Sequence, residues 1–303
     1  WHQVFTAGDP GAQFGRTEFD VTTKAGHTRI YVGDATADHS QLYRVDDADV
    51  DADTLNAGGT AHTGWTALSS PAENTPAFAS YDYCQGQCDY DNFVMVDPSD
   101  PDTVYLGGSM NYDELEAFGS DKPRSNGRAV IRSTDAGATF TDMTNDAGGP
   151  PTGMHPDQHA MAFDPAHPDI WFIGSDGGMI RSDGAYRDGS SVCAPRGLTG
   201  AMLTFCQQVT SVVPHRLDNI NTGLKTLQFQ GLAVDQTGAT DGGGDLMGGT
   251  QDNGTWAYRN GGSPAWFESV GGDGGQSGID AGNANIRMHS YFGPQHDVNF
   301  RGN

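Results

Sequence analysis

The sequence predicts an all-β protein built from repeated antiparallel sheets, on the strength of three observations. The 303 residues include 43 Gly and 15 Pro and contain no long stretch of apolar residues at helical spacing. Of the 39 acidic residues, 34 are Asp, which caps turns with its short side chain, whereas Glu favours helices. One pattern of three short strands, joined by turns rich in Gly, Pro and Asp, recurs along the chain.

The clearest copy of the pattern lies in residues 154–184. Short apolar runs predict three strands there, a proline-flanked segment predicts the first turn, and a glycine-rich segment around Asp176 predicts the second. In chain order these elements are residues 160–164, 165–168, 170–173, 174–178 and 179–181. Each copy therefore predicts one antiparallel unit of at least three strands.

The pattern occurs five times. Residues 18–34, 92–108 and 159–175 align with one another without gaps, and looser copies follow at 232–249 and 278–293. A third strand that ends in arginine follows most copies, as at Arg44, Arg132 and Arg181. The repeat predicts five similar sheets arranged in series.

A fourth strand that opens on an aromatic residue is predicted at 65–68, 140–143 and 266–270, and a further copy at 216–221. The remaining copy is residues 1–5 (WHQVF) at the start of the sequence. An N-terminal strand that completes the last sheet is how a ring of four-stranded sheets closes. We therefore predict one β-propeller domain, residues 1–303, with five blades. The alternative is a fragment of a larger propeller.

The formal net charge of −23 argues against a nucleic-acid partner, because nothing supplies a basic face. No apolar run is long enough to predict a membrane span. The acidic excess has two interpretations that remain open, which are solvated turn caps and a functional role in calcium binding or life at high salt. The sequence makes no prediction of oligomeric state.

The four cysteines form two close pairs, Cys84 with Cys88 and Cys193 with Cys206. We predict two local disulfides and therefore an oxidising, extracellular location. A zinc site is the alternative, although this spacing is poor for zinc ligands.

Residues 133–140 (STDAGATF) form a complete Asp-box, S-x-D-x-G-x-T-F/W. In such a turn the carboxylate, here that of Asp135, accepts backbone N–H bonds, the glycine takes positive φ and the aromatic ring packs between blades. On this motif the chain resembles the BNR-repeat propellers, and more widely the secreted glycosyl-hydrolase-like, sortilin-type and xyloglucanase-type propellers. Other segments that carry the resemblance are residues 90–92, 155–159, 221–224, 228–229, 249–255 and 271–275. The resemblance implies a secreted propeller that acts on or binds glycans, but it does not by itself imply catalysis.

The predicted blade topology separates the turns onto two faces. Turns between the second and third strands, and links between blades, share the face opposite the Asp-box. Asp157, Asp176, Asp252 and Asp273 all fall on that face, and Asp34 and the cysteine-containing link 83–92 join them. These residues predict a site around a central opening. The alternative for each aspartate is a turn cap that binds its own backbone.

Two functional hypotheses use this face. A glycoside hydrolase needs two carboxyl groups about 5–9.5 Å apart, one with a raised pKa. We predict Asp176, Asp252 and Asp273 as its acid and base groups, and further substrate contacts from Asp157, Gln251, Asn253 and Asp34. The second hypothesis is a non-catalytic binding or scaffold module for a polysaccharide or glycoprotein.

A metal centre is a third hypothesis. In an extended segment the side chains of His155, Asp157 and His159 share one face, and two imidazoles with a carboxylate suit a transition metal. The alternative is that these histidines hydrogen-bond neighbouring turns. The run of alternating aspartates at 47–53 resembles a calcium loop but lacks its sixth-position glycine and twelfth-position glutamate. The cofactor expectation is therefore Ca²⁺ or another divalent metal.

Overall fold

The computed structural model describes residues 1–8, 16–36, 38–149, 154–224, 226–237, 244–260, 265–291 and 294–301. Its contacts divide the chain into two compact units, Trp1–Thr222 and Gly223–Asn303. The single domain predicted for residues 1–303 stays a prediction. Among the described residues, no helix is both long enough and apolar enough to cross a membrane.

The first unit contains three four-stranded antiparallel sheets, each formed from one sequence repeat. The first sheet consists of β1 (Glu18–Lys24), β2 (His27–Ala35), β3 (Ser40–Val45) and β4 (Thr66–Ala67). The second consists of β5 (Phe93–Asp97), β6 (Asp100–Gly107), β7 (Val130–Ser133) and β8 (Thr141–Asp142).

The third sheet carries the longest insertion of the first unit. Its strands are β9 (Gln158–Phe163), β10 (Trp171–Ser175), β11 (Gly178–Ser182) and β14 (Leu217–Asn219), and β12 (Tyr186–Arg187) pairs with β13 (Val213–Pro214) inside the insertion. The insertion also contains the helix α2 (Gly200–Val209), whereas the short helix α1 (Ala52–Leu55) follows β3. Single 3₁₀ turns occur at Gly59–Ala61, Pro76–Phe78, Tyr112–Glu114, Glu116–Phe118 and Ser190–Cys193.

The core of the first unit lies between successive sheets. Strands β1 and β5 are in contact, as are β5 and β9, so the first strands of the three sheets are neighbours. One cluster of buried side chains, including Leu42 and Leu106, joins the first and second sheets, and another, including Tyr105 and Trp171, joins the second and third. This is the packing of consecutive propeller blades, since each sheet buries one face against the next.

The second unit contains the remaining two sheets. The fourth sheet consists of β15 (Phe229–Val234), β16 (Leu246–Thr250), β17 (Thr255–Tyr258) and β18 (Phe267–Val270), and the fifth of β19 (Ser277–Ile279), β20 (Arg287–Ser290) and β21 (His296–Asn299). Residues 238–243 of the fourth repeat and 292–293 of the fifth lie outside the described residues. The prediction of an all-β fold with four-stranded antiparallel propeller blades is confirmed, and the number of blades stays a prediction.

One part of the prediction needs correction. Residues 1–5 form no strand, and the fifth sheet has three strands among the described residues. The ring of Phe5 stacks on His62 with centroids 4.2 Å apart and meets Trp65 edge-on at 5.2 Å, inside the first unit. The predicted strand at residues 1–5 is therefore absent, because the partly buried side chain of Phe5 packs against the first sheet, and closure of the ring stays a prediction.

Both predicted disulfides are present. Cys84 is bonded to Cys88, and Cys193 to Cys206. The second of these joins the second half of α2 to the last residue of the preceding 3₁₀ turn, so the insertion has its own covalent cross-link.

The turn between β7 and β8 has the predicted local structure. The two carboxylate oxygens of Asp135 accept hydrogen bonds from Thr139, one from its backbone N–H at 2.8 Å and one from its hydroxyl at 2.7 Å. Gly137 has a φ of +88°, and Phe140 is fully buried. Burial alone would raise the pKa of Asp135, but the hydrogen bonds from Thr139 and Ser133 hold it below its usual value. Asp135 is thus a structural turn cap.

Candidate functional site

Three connecting segments meet at one end of the sheets of the first unit. They are residues 68–92 before β5, residues 108–129 between β6 and β7, and the described residues before β9, 143–149 and 154–157. Because the strands are antiparallel, these connections lie at the end opposite the Asp135 turn. A β-bridge between Ser109 and Asp157 and a 3.0 Å hydrogen bond from the Met110 N–H to the Pro156 carbonyl join two of them.

His155, Asp157 and Asp176 converge at this end. Each offers one ligand atom, and the three atoms lie within 4.8 Å of one another. Asp157 is held in place, because its Oδ1 accepts hydrogen bonds from Ser109 Oγ at 3.2 Å and Gln87 Nε2 at 3.4 Å. Its Oδ2 lies 3.6 Å from His155 Nδ1. The cluster thus combines two carboxylates with one imidazole, and these three side chains are only partly exposed.

His159, the other predicted metal ligand, has a different position. Its Nε2 is 2.7 Å from Asp176 Oδ1, and its Nδ1 is 3.1 Å from the backbone carbonyl oxygen of Tyr90. Both partners are hydrogen-bond acceptors, so each contact is a hydrogen bond when the ring nitrogen concerned carries a proton. His159 therefore orients Asp176. In the structure it is Asp176 that lies beside His155 and Asp157, whereas the sequence pattern predicted His159 at that position.

Asp91 lies directly behind this cluster and is fully buried. Neither of its carboxyl oxygens accepts a hydrogen bond from a donor among the described residues. Burial raises the pKa of Asp91 most, and the shared hydrogen bond with Asp157 and the negative charges of Asp157 and Asp176 raise it further, to about 10. At neutral pH the Asp91 carboxyl is thus protonated in the metal-free protein.

An open cavity of about 800 Å³ lies in the same unit. Asp82 and Gln85 line this cavity, whereas Gln87 and Asp91 of the same connection contact Asp157 of the cluster. The 108–129 connection supplies Asn111, Tyr112 and Phe118 to its wall. Tyr112 and Phe118 are exposed by 42% and 64% and meet edge-on with centroids 4.7 Å apart. Large aromatic side chains are therefore presented to solvent at the rim.

The floor of the cavity is a buried ionic network. Arg128 donates to both carboxylate oxygens of Glu114, from Nε at 2.7 Å and Nη2 at 3.0 Å, and Arg124 Nε donates to Glu114 at 3.0 Å. Both guanidinium groups also lie over the ring of Phe78, at 4.7 and 5.2 Å. Burial alone would raise the pKa of Glu114, but Arg128 and Arg124 hold it below its usual value. The network anchors the 3₁₀ turn Tyr112–Glu114 to the body of the unit.

Four of the predicted site residues belong to the second unit. The backbone N–H of Asp252 donates to Asp273 Oδ1 at 3.2 Å, so these two predicted catalytic residues are neighbours. Gln251 accepts a hydrogen bond from Gln230 at 2.8 Å, and the Asn253 amide donates to the Gln251 carbonyl at 3.2 Å. Because Asp157 and Asp176 are in the first unit, the predicted opening surrounded by all four aspartates stays a prediction.

Asp34, a predicted substrate contact, is buried inside the first unit. Its carboxylate accepts hydrogen bonds from the Gly8 N–H at 2.8 Å and the Thr17 hydroxyl at 2.6 Å, and it is 1% exposed. Burial raises its pKa despite these bonds. Asp34 is therefore a buried polar residue whose hydrogen bonds connect the N-terminal segment to β2.

The aspartate carboxylates in residues 47–53 mainly accept hydrogen bonds within their own turns. Asp47 accepts the Asp49 N–H at 3.1 Å, Asp51 caps α1, and Asp49 accepts from both the backbone and the hydroxyl of Thr28. His27, Asp47 and Asp49 form a second group with metal-compatible spacing, but it is on the surface. The alternative interpretation of these residues as turn caps accounts for their contacts.

Sequence reasoning missed Asp91 and the cavity. Asp91 stands in the cysteine-containing link that we assigned to this face, yet nothing in its local sequence distinguishes it from the many turn aspartates. Tyr112 and Phe118 lie in an insertion at 110–126 that interrupts the repeat, and this interruption was the available signal.

Comparisons with known proteins add little to this picture. No protein-family model matches the sequence, and no curated protein matches it. Among solved structures, the chain is similar to an ancestral GH74 enzyme (TM-score 0.30, 11% identity, 92% of this chain and 30% of the enzyme). It is also similar to the β-propeller domain of Cps50 (Swd1) from Myceliophteria thermophila (TM-score 0.25, 9% identity, 89% of this chain and 65% of the domain chain). The chain spans less than two thirds of either structure, and such likeness contributes nothing to a functional assignment.

Proposed function

We propose that the protein is a secreted BNR-type propeller that binds extracellular glycan chains through the cavity of its first unit. The observation that carries the proposal is the open cavity of about 800 Å³ with Tyr112 and Phe118 exposed at its rim. Pockets of this size accommodate ligands of several rings. The two local disulfides support an extracellular location, because such bonds persist in oxidising compartments.

The chemistry of the cavity wall suits a carbohydrate. Aromatic faces pack against the C–H faces of sugar rings, and Asp82, Gln85 and Asn111 offer acceptors and donors for hydroxyl groups. The Glu114–Arg128 network fixes the wall from below, so little side-chain entropy is lost when a ligand binds. A neutral, polyhydroxylated ligand also avoids the repulsion that the net charge of −23 would impose on an acidic one.

Replacement of the rim aromatics tests this proposal. We expect Tyr112→Ala and Phe118→Ala each to weaken binding of a cognate oligosaccharide by about 10-fold, since a central aromatic contact contributes more than 1 kcal/mol. Ligands are first found on a glycan array, and affinities are then measured by isothermal titration calorimetry.

Phe19→Ala is the matched control, because Phe19 is exposed by 62% on β1 and does not line the cavity. Its affinity should equal that of the wild type. The proposal is wrong if no glycan binds, or if the three variants bind equally well.

A second candidate function is glycoside hydrolysis on the same face. It is favoured by two neighbouring carboxyl groups, Asp91 and Asp157, of which Asp91 has a raised pKa, because glycosidases use a pair of carboxyl groups of which one has a raised pKa. The sequence assigns the acid and base to Asp176, Asp252 and Asp273. Wild-type protein should then release reducing ends from the bound glycan, and Asp176→Asn, Asp252→Asn and Asp273→Asn should each reduce that rate at least about 100-fold. A pure binding module would release none.

A further inference from the structure

The group formed by His155, Asp157 and Asp176 has the composition of a metal site. Its three ligand atoms lie within 4.8 Å of one another, so a single ion at their centre is within reach of all three after small side-chain rotations. The residues come from two different connections, the link before β9 and the turn between β10 and β11. Two carboxylates from separate segments repel each other when they are brought together, so their convergence indicates a compensating interaction.

Asp91 provides the second observation. Its side chain is fully buried, borders Asp157, and has a carboxyl oxygen 3.6 Å from His159 Nδ1, yet neither of its oxygens accepts a hydrogen bond. A buried carboxyl group without a hydrogen-bond donor is costly and uncommon in a folded protein. A cation beside it would remove that cost.

Within the part of the chain that the structure describes, no Lys or Arg forms an ion pair with Asp91 or Asp157. Glu114, another buried carboxylate of the same unit, does have such partners in Arg124 and Arg128. Among the described residues, Asp91 and Asp157 form ion pairs with the histidines 159 and 155, which are themselves potential metal ligands.

We propose that His155, Asp157 and Asp176 bind a first-row divalent transition-metal ion such as Zn²⁺ or Mn²⁺, with Asp91 as the adjacent buried carboxylate. One imidazole nitrogen with two carboxylates matches the ligand preference of these ions, and positions left open are available to water or to a ligand hydroxyl group. Ca²⁺ fits less well, because it prefers six to eight oxygen ligands and does not favour imidazole. The proposal is independent of the glycan cavity, which uses other side chains.

The surroundings of the cluster support a preformed site. Hydrogen bonds from Ser109 and Gln87 to Asp157 Oδ1 leave Oδ2 directed to His155. His159 is a positioning residue that fixes Asp176, as outer hydrogen bonds fix ligands in metal sites. Gly177 allows the turn to approach His155, since a Cβ at this position would lie 2.7 Å from the His155 Cβ.

Metal binding by the chelator-treated full chain tests the proposal. Isothermal titration calorimetry with Zn²⁺, Mn²⁺ and Ca²⁺ is run in parallel with elemental analysis after equilibrium dialysis. We expect stoichiometric binding of Zn²⁺ or Mn²⁺ with higher affinity than Ca²⁺. Asp157→Asn and Asp176→Asn should each weaken it at least about 100-fold, and His159→Gln by about 10-fold, because second-layer changes cost less.

Asp49→Asn is the matched control, since it alters the other group with metal-compatible spacing and should leave the affinity unchanged. Thermal unfolding in chelator shows that each variant is folded. The proposal is overturned if no ion binds stoichiometrically, if Ca²⁺ binds most tightly, or if Asp49→Asn rather than Asp157→Asn removes binding.

Discussion

Arg128→Met should lower the free energy of unfolding by about 3–5 kcal/mol, the cost of leaving a buried charge without its partner. Glu114 is 1% exposed and receives two hydrogen bonds from Arg128, at 2.7 and 3.0 Å. Arg128 also donates to the Ala79 carbonyl at 2.6 Å, so the variant leaves a backbone acceptor unpaired as well. Equilibrium unfolding in urea, followed by tryptophan fluorescence, measures the change.

Arg181→Met is the control for this prediction. Arg181 and Asp218 are 4.0 Å apart and more than a third exposed, and such pairs contribute less than about 1 kcal/mol. Loss of equal stability in the two variants would contradict the structural role assigned to the Glu114 network. In Arg128→Met the wall formed by Tyr112–Glu114 loses its anchor, so glycan binding should weaken as well.

Asp91→Asn should have the opposite effect on the metal-free protein and raise its free energy of unfolding by about 1–3 kcal/mol. The Asp91 carboxyl must take up a proton when the protein folds at neutral pH, whereas an asparagine amide is neutral from the start and can also donate a hydrogen bond to the Asp157 carboxylate. The same substitution removes a negative charge from the proposed site, so the stabilisation by added Zn²⁺ should decrease. Chemical unfolding in chelator and in excess Zn²⁺ measures both effects.

Asp89→Asn is the control on the same loop, because Asp89 is exposed and its replacement should change stability by less than about 0.5 kcal/mol. If Asp91→Asn instead destabilises the metal-free protein by more than about 1 kcal/mol, the Asp91 carboxyl has a structural role and the argument from its burial fails.

Stability that increases when a buried carboxyl group is replaced is typical of functional sites. The contrast with Glu114 is informative, because both carboxyl groups are buried in the first unit. Two arginines lower the pKa of Glu114, whereas burial and neighbouring carboxylates raise the pKa of Asp91. Glu114 therefore stabilises the fold. Burial of the Asp91 carboxyl lowers the stability of the metal-free protein, and a bound cation would offset that loss.

Most of the fold could be predicted because its determinants are local. Each repeat places Pro, Gly and Asp where a strand must end, and these residues specify turns through their own backbone preferences. The Asp135 turn and both disulfides follow from short-range spacing in the same way. The strand predicted at residues 1–5 is absent because a five-residue apolar pattern does not specify which aromatic neighbours it packs against, here His62 and Trp65.

The candidate site was only partly predictable. The segment 155–159 stood out by its composition, and two of its four polar side chains, His155 and Asp157, belong to the cluster. The contributions of Asp91 and Asp176 depend on contacts between residues far apart in sequence, which spacing alone cannot reveal. The cavity likewise depends on Arg128 reaching the Glu114 of an insertion, and on two aromatic rings left exposed beside it.

Anomalous X-ray diffraction from crystals grown with Mn²⁺ or Zn²⁺ tests the central claim most directly, because it locates the ion without reference to activity. The account predicts one strong anomalous peak among the side chains of His155, Asp157 and Asp176, with Asp91 behind it. A peak at His27, Asp47 and Asp49 instead, or no peak at the predicted cluster in metal-saturated crystals, would contradict it.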